Sequence, residues 1–305
     1  MNETVSVDYV TVDVFTDRAF GGNPLAVVLD ARGLADAEMQ AIAAEFNYSE
    51  TTFLLPPEEA RHTARVRIFT TVCELPFAGH PNVGTGFVVA GLGTLFGRPV
   101  GDSLVFEEAA GLVPIAILRE DGAVVGARLT APKPLAVGRT VVPEIVAECL
   151  GLDVAEIASE PHPPVIASVG LPFLFAGLTS RAALAKCRPA AAAFARHLPI
   201  DGAHAIHVSV RDGAEVRARV FADNGMIIED PATGSANVAF AALNADLLAE
   251  RDAEIALDIM QGVEMGRPSR LAARAVKRAR KVAAAEIGGR CVSVMRGRLS
   301  FVRGG

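Results

Sequence analysis

A chain of 305 residues, 51% apolar and 21% charged, is long for one compact core and comfortable for two ordinary domains. Its net charge of −6 disfavours a nucleic-acid or anionic-membrane partner. Cys73, Cys149, Cys187 and Cys291 are scattered without a C-x-x-C pair, and no run reaches the roughly eighteen apolar residues of a membrane span. With no basic, apolar leader in "MNETVSVDYVTVDVF", the expectation is a cytoplasmic protein with reduced thiols.

In chain order, "VSVDYVTVDVF" (Val5–Phe15) is β-branched and alternating, and "PLAVVL" (Pro24–Leu29) is a short apolar run after a Gly-Gly-Asn turn, so the two predict a hairpin. Asp36–Phe46 has apolar residues at helical spacing, with Asn47 placed to cap its C-terminus. Glu50 then opens the strand "ETTFLL", and "VRIF" (Val66–Phe69) predicts another. After strands at Leu104–Phe106 and Val113–Leu118, "REDG" (Arg119–Gly122) marks a hairpin turn.

The second half echoes the first. Pro172 follows Pro24 by 148 residues, Phe221 follows Phe69 by 152, and Pro231 follows Pro81 by 150. Three matches in order indicate a duplicated unit of about half the chain, with chance agreement between Val- and Phe-rich strands as the alternative. The expected division is 1–120, completed by 287–305, and 121–286.

Two stretches share an unusual layout. "HPNVGTGFVVAGLG" and "TGSANVAFAAL" are apolar on every side, which requires burial, most simply as the axis of a surrounding sheet. Each begins with glycine and small residues, leaving backbone N–H groups uncovered at a positive dipole end, which suits a carboxylate or phosphate. Glu229 and Asp230 are expected on the rim of such an anion site, although Asp230 could equally be a simple N-terminal cap.

Six segments carry a specific resemblance: "VDVFTDRAFGGNPLAVVLD", "EFNYSETTFLLPP", "ELPFAGHPNVGTGFVV", "EDPATGSAN", "QGVEMGRPS" and "IGGRCVSVMRGRL". In this order, nearly end to end, the chain resembles the PhzF-like isomerases of phenazine biosynthesis, with the diaminopimelate epimerase and proline racemase fold. The resemblance implies an α/β (α+β) architecture of two pseudo-symmetric domains, each a curled, mostly antiparallel sheet around a central apolar helix, with the active site at their interface. It implies Glu50 as proton-transferring acid/base, His80 and Asp230 as substrate-orienting partners, and Gly79, Gly234 and Ser235 near a bound carboxylate. It also implies a homodimer. Thr71 and Asn82 depart from the residues common in relatives, which bears on substrate choice.

Glu50 has a physical case of its own. It begins an alternating strand whose face it shares with Thr52 and Leu54, placing the carboxylate at a sheet end, where partial desolvation raises a carboxyl toward the range of a neutral-pH acid/base. The related racemases carry a cysteine at each helix mouth; the corresponding places here read as Ala78 and Pro231, which excludes a two-thiol mechanism and favours same-face proton transfer by one carboxylate.

Other motifs carry less. His204 and His207 in "HAIH" face opposite sides of a strand, against a metal site. "RAVKRARK" (Arg274–Lys281) reads as a solvated face, "AGLGTLFG" ends a helix instead of opening one, and Ser235 lacks a nucleophile-elbow frame. No cofactor motif survives. Two functions remain open: a cofactor-independent isomerase of a small carboxylated metabolite, or a non-catalytic carboxylate-binding protein on the same fold.

Overall fold

The computed structural model describes residues 3–212, 215–223 and 227–303, and the chain divides into two units, 1–129 with 288–305, and 130–287. In the first unit, β1 (Thr4–Val14) and β2 (Asn23–Val28) form the antiparallel hairpin anticipated from their alternation. Helix α1 (Asp36–Phe46) ends at Asn47, whose φ of 53° is the left-handed conformation asparagine tolerates. β3 (Glu50–Leu55) lies parallel to β2 and antiparallel to β4 (Ala64–Phe69), which turns back through β5 (Glu74–Leu75). Helix α2 (Gly79–Leu92) follows, then the small hairpin of β6 (Thr94–Leu95) and β7 (Arg98–Pro99). β8 (Ser103–Glu108) runs parallel to β4 and pairs with β9 (Gly111–Glu120), which turns at Asp121-Gly122, both at positive φ, into β10 (Ala123–Thr130).

The second unit repeats the order. β11 (Ala136–Thr140), α3 (Pro143–Leu150), the 3-10 turn Val154–Glu156 and β12 (Ile157–Ala158) lead into β13 (Val165–Ser168) and β14 (Pro172–Leu178). Helices α4 (Arg181–Lys186) and α5 (Ala191–His197) precede β15 (Ala205–Asp212), parallel to β14 as β3 is to β2. β16 (Glu215–Asp223) pairs antiparallel with β15 and turns back through β17 (Ile227–Asp230) into helix α6 (Gly234–Leu247). β18 (Ala253–Gln261) runs parallel to β16, as β8 does to β4, and pairs with β19 (Ser269–Arg278). The long β20 (Lys281–Val302) ends beside β1.

Helices α2 and α6 are the cores of their units, and neither has a polar face to turn outward. α2 packs on β1, β2, β3 and β9, and α6 on β13, β14, β18 and β19. The wall comes so close that a Cβ on Gly84 would lie 2.6 Å from Leu25 Cδ2 and 2.7 Å from Val14 Cγ2. Glycine at that place is a packing requirement. α6 obtains the same closeness from alanines, with Ala236, Ala239, Ala241, Ala242 and Ala245 fully buried.

Where β4 meets β5, Arg67 forks onto Glu74 (2.7 and 2.6 Å) and lies 5.1 Å over Phe69. Where β16 meets β17, Arg219 forks onto Glu229 (2.7 and 2.7 Å) and lies 4.8 Å over Phe221. Phe69 faces Glu74 in register just as Phe221 faces Glu229. This corrects the expectation for Glu229: it is one jaw of a clamp that fastens the turn before α6. Lys277 departs from the solvated face expected for "RAVKRARK", because it is buried and donates to the carbonyls of Asp246 and Leu248 at the C-terminal end of α6, each at 2.7 Å.

The two clamps differ in burial, which sets an expectation for stability. The Arg219 and Glu229 side chains are 4% and 16% exposed, against 15% and 37% for Arg67 and Glu74. Arg219→Ala strands a buried carboxylate and should cost ~3–5 kcal/mol, whereas Arg67→Ala should cost about 1–2 kcal/mol because water reaches Glu74. Urea unfolding followed by circular dichroism measures both, and equal losses would contradict this account.

Candidate active site

Parallel strands begin at the same end of a sheet, and α2 begins beside that end. This brings together Asn23 at the start of β2, Glu50 at the start of β3 and His80, the second residue of α2. His80 Nδ1 lies 3.4 Å from Glu50 Oε2 and 3.3 Å from Asn23 Nδ2. The imidazole is 4% exposed and the carboxylate 17%. One turn further along the helix, Thr85 bonds Thr52 at 2.9 Å, so Thr52 shares the α2-facing side of β3 with Glu50. The strand does not alternate in burial: Thr51, Thr52, Phe53 and Leu54 are all buried, because β3 is covered on both faces.

Burial drives the His80 pKa down to about 3 against a smaller opposing effect of its hydrogen bond to the Pro24 carbonyl. The ring is therefore neutral at pH 7. Asn23 Nδ2 is the donor that faces Nδ1, and Glu50 Oε2 lies within ion-pair distance of the same nitrogen. His80 Nε2 is buried and has no hydrogen-bond partner among the described residues.

Around the N-terminus of α6 the polar groups are organised by Gln261. Its Nε2 donates to the Asp230 carbonyl (2.7 Å) and Thr233 Oγ1 (3.0 Å), while its Oε1 accepts from Thr233 N (3.2 Å) and Asn237 Nδ2 (2.7 Å). Thr233 Oγ1 in turn donates to Asp230 Oδ2 at 2.5 Å. Asn237 Oδ1 receives His207 Nε2 at 3.1 Å, and the His207 ring stacks 4.9 Å from Phe240, with burial lowering its pKa to about 4. His207 thus points inward, to the helix.

Gly79 and Gly234 are each the first residue of their helix, with His80 and Ser235 second. The N-caps are Ala78 and Thr233, and neither gives a side-chain cap bond to the first turn. Asp230 is therefore not the cap. Thr233, not Pro231, is the structural counterpart of Ala78. "ELPFAGHPN" and "EDPATGSAN" align as E-x-P-x-x-G-x-x-N, with Gly234 placed 155 residues after Gly79, so the partner of Pro231 is Pro76. That repeat was the available signal for Asn82 and Asn237, whose Nδ2 atoms donate to the N-cap carbonyls Ala78 O (2.9 Å) and Thr233 O (3.0 Å). Asn23 and Gln261 had no such local signature. Among the thiols, Cys149, Cys187 and Cys291 are buried and Cys73 is exposed.

The neutral imidazoles make the fold less stable as the pH falls. In the unfolded chain both protonate near pH 6.5, but in the fold only near about 3 for His80 and about 4 for His207. Their stabilisation is complete above pH 6.5 and lost as pH falls, because the unfolded state takes up protons that the folded state refuses, at about 1.4 kcal/mol per pH unit for each ring. Urea unfolding between pH 4.5 and 7.5 should show this slope reduced by one proton in His207→Gln, and an unchanged slope would mean the ring is already charged in the fold.

Against known proteins, the phenazine biosynthesis-like protein family matches residues 12–297. An uncharacterised isomerase of Mesorhizobium japonicum is 38% identical, over 96% of this chain and 98% of its own. The trans-2,3-dihydro-3-hydroxyanthranilate isomerase of Pseudomonas aeruginosa is 36% identical, over 95% and 98%. Among solved structures, a PhzF-family phenazine biosynthesis protein of Bacillus anthracis superposes with a TM-score of 0.84 at 28% identity, covering 97% of this chain and 99% of that one. A hydroxyproline epimerase of Agrobacterium vitis shares the fold, with a TM-score of 0.62 at 15% identity over 98% and 94% of the two chains. The architecture is the α+β epimerase-like fold, and the chain belongs to the phenazine biosynthesis-like protein family and is an isomerase.

Proposed function

We propose that this isomerase moves a proton between two carbons of a small carboxylated substrate, with Glu50 as the single acid/base and no cofactor. The observation that carries the reading is the 3.4 Å approach of Glu50 Oε2 to the Nδ1 of a buried His80. The neutral ring packs beside the carboxylate and steadies its place without opposing it with a full positive charge. When Glu50 has taken a proton from carbon, the same contact holds the resulting acid until it returns the proton to a second carbon. Both transfers then occur on one face of the substrate.

The electrons left by the first transfer need a sink. A carboxylate conjugated to the reacting carbons supplies one, and the backbone N–H groups at the start of α2, at Gly79 beside His80, are suited to receive its growing charge. Asp230, anchored by Thr233, serves as an orienting group for a polar substituent. Neither N-cap position bears a thiol, which supports one carboxylate over a pair of cysteines as the proton carrier. The substrate class follows the relative that acts on trans-2,3-dihydro-3-hydroxyanthranilate: a compact, unsaturated ring acid.

A screen of such acids for deuterium uptake from heavy water identifies the substrate and then tests the carrier. Glu50→Gln keeps the side chain's size but cannot exchange a proton at neutral pH, so exchange should fall by about 10²- to 10⁴-fold in a folded protein. Asp230→Asn should lose less, because it orients and does not transfer. Exchange by Glu50→Gln at the parent's rate would remove Glu50 from the mechanism and make Asp230 the next candidate.

A further inference from the structure

The two units differ at one matched place that the reaction does not use. β8 runs beside β4 with Arg65 opposite Glu107, and β18 runs beside β16 with Arg217 opposite Met260 and Ala218 opposite Gln261. Since Arg67 and Arg219 are the matched clamp residues, Glu108 stands in the first unit where Gln261 stands in the second. Glu108 follows the buried Leu104 and Phe106 on the helix-facing side of its strand, as Gln261 follows Leu257 and Ile259. Its neighbour on the helix is Asn82, the counterpart of Asn237.

In the second unit this pair is satisfied, since Asn237 Nδ2 donates to Gln261 Oε1 at 2.7 Å and Gln261 Nε2 donates onward. In the first unit both carboxyl oxygens of Glu108, and Asn82 Oδ1, are buried without a hydrogen-bond partner among the described residues. A carboxylate there has no proton to give. A carboxylic acid supplies the missing donor and resembles the glutamine amide in shape and charge.

We propose that Glu108 is carried as a neutral carboxylic acid and in that form positions the first turns of α2, which bear His80, as Gln261 positions those of α6. Burial raises its pKa to about 8, against a smaller opposing effect of the Asn82 amide. The charges around it are committed elsewhere. In the adjoining recess Arg65 pairs with Glu58, Arg67 with Glu74 and Asp36, and Glu107 accepts from the N–H groups of Glu58 and Glu59 and from His62 Nδ1. On α2 itself His80 is neutral at pH 7, since burial holds its pKa near 3. The importance of His80 rests on the reading above, but the position of its helix turn is measured without turnover.

The sign of the linkage is fixed. An acid whose folded pKa is raised contributes stability that is complete below its unfolded pKa and lost as pH rises through the folded one. Glu108→Gln abolishes that loss, so its melting temperature relative to the parent should climb by about 2 °C or more per pH unit between pH 5 and 8 and then level off. Carbon-13 NMR of the parent should show the Glu108 carboxyl titrating near pH 8, and the His80 ring resonance should shift with the same midpoint in the parent but not in Glu108→Gln.

A Glu108 carboxyl that titrates at about 4–5, or a melting difference flat with pH, overturns the neutral acid. So does a Glu108→Gln chain that fails to fold, because the amide must be able to replace the acid. A His80 resonance indifferent to the Glu108 titration overturns the positioning role. None of these outcomes bears on Glu50, whose test is isotope exchange.

Discussion

The structure depends on burying a helix that has no polar face. Once α2 and α6 are enclosed, a hydroxyl or amide along the shaft loses water and must find a partner there, so most polar groups near the helices lie at their ends. Gly84 on α2 and the alanines of α6 let the wall close on the backbone, and the few polar side chains that remain inside are tied to named partners, as Thr52 is to Thr85 and His207 to Asn237. Chemistry-bearing residues therefore gather at the N-termini. There the helix dipole and the uncapped first turn already favour negative charge.

The same frame, built twice, shows which parts are structural and which were free to diverge. The Arg-Phe-Glu clamp is retained in both units, since it fixes the turn that delivers the chain to the helix. The asparagine bonded to the N-cap carbonyl is likewise kept. Around these constants the pairs differ: Glu50 has its matched place near Ala205, His80 is matched by Ser235, Leu75 by Asp230, and Ala78 by Thr233. A carboxylate with a neighbouring imidazole is on one copy, and an anchored aspartate and a hydroxyl are on the other. One scaffold, built twice, thus carries unlike donors and acceptors at matched places.

His80 is a buried neutral histidine beside a carboxyl. A charged imidazole beside a carboxylate holds it ionised and keeps its basicity low. Enclosure penalises that cation, so the ring beside Glu50 carries no charge at neutral pH. The same enclosure makes His207 a neutral donor to Asn237 in the other unit, where it has a purely structural setting against Phe240.

Patterns that depend on near neighbours were legible in the sequence. The β1–β2 hairpin, the helix Asp36–Phe46 with its left-handed Asn47 cap, the Asp121-Gly122 turn and the two all-apolar helices follow from local sterics and from the distribution of apolar residues, and they stand where expected. So did the duplication, although a repeat based on isolated prolines chose Pro81 where register chooses Pro76. The direction of Glu229 was not legible, because its partner Arg219 is on the preceding strand and only strand pairing brings them face to face. Nor was the burial of Lys277, which the end of α6 captures. Gln261 and Asn23 acquire their places from contacts across the fold, to residues 24 and more positions away. Local propensity and hydrophobic pattern determined the elements. Only tertiary structure decided the ionisation and partners of the site, because those depend on which groups lose water together, and that is a property of packed neighbours and not of adjacent letters.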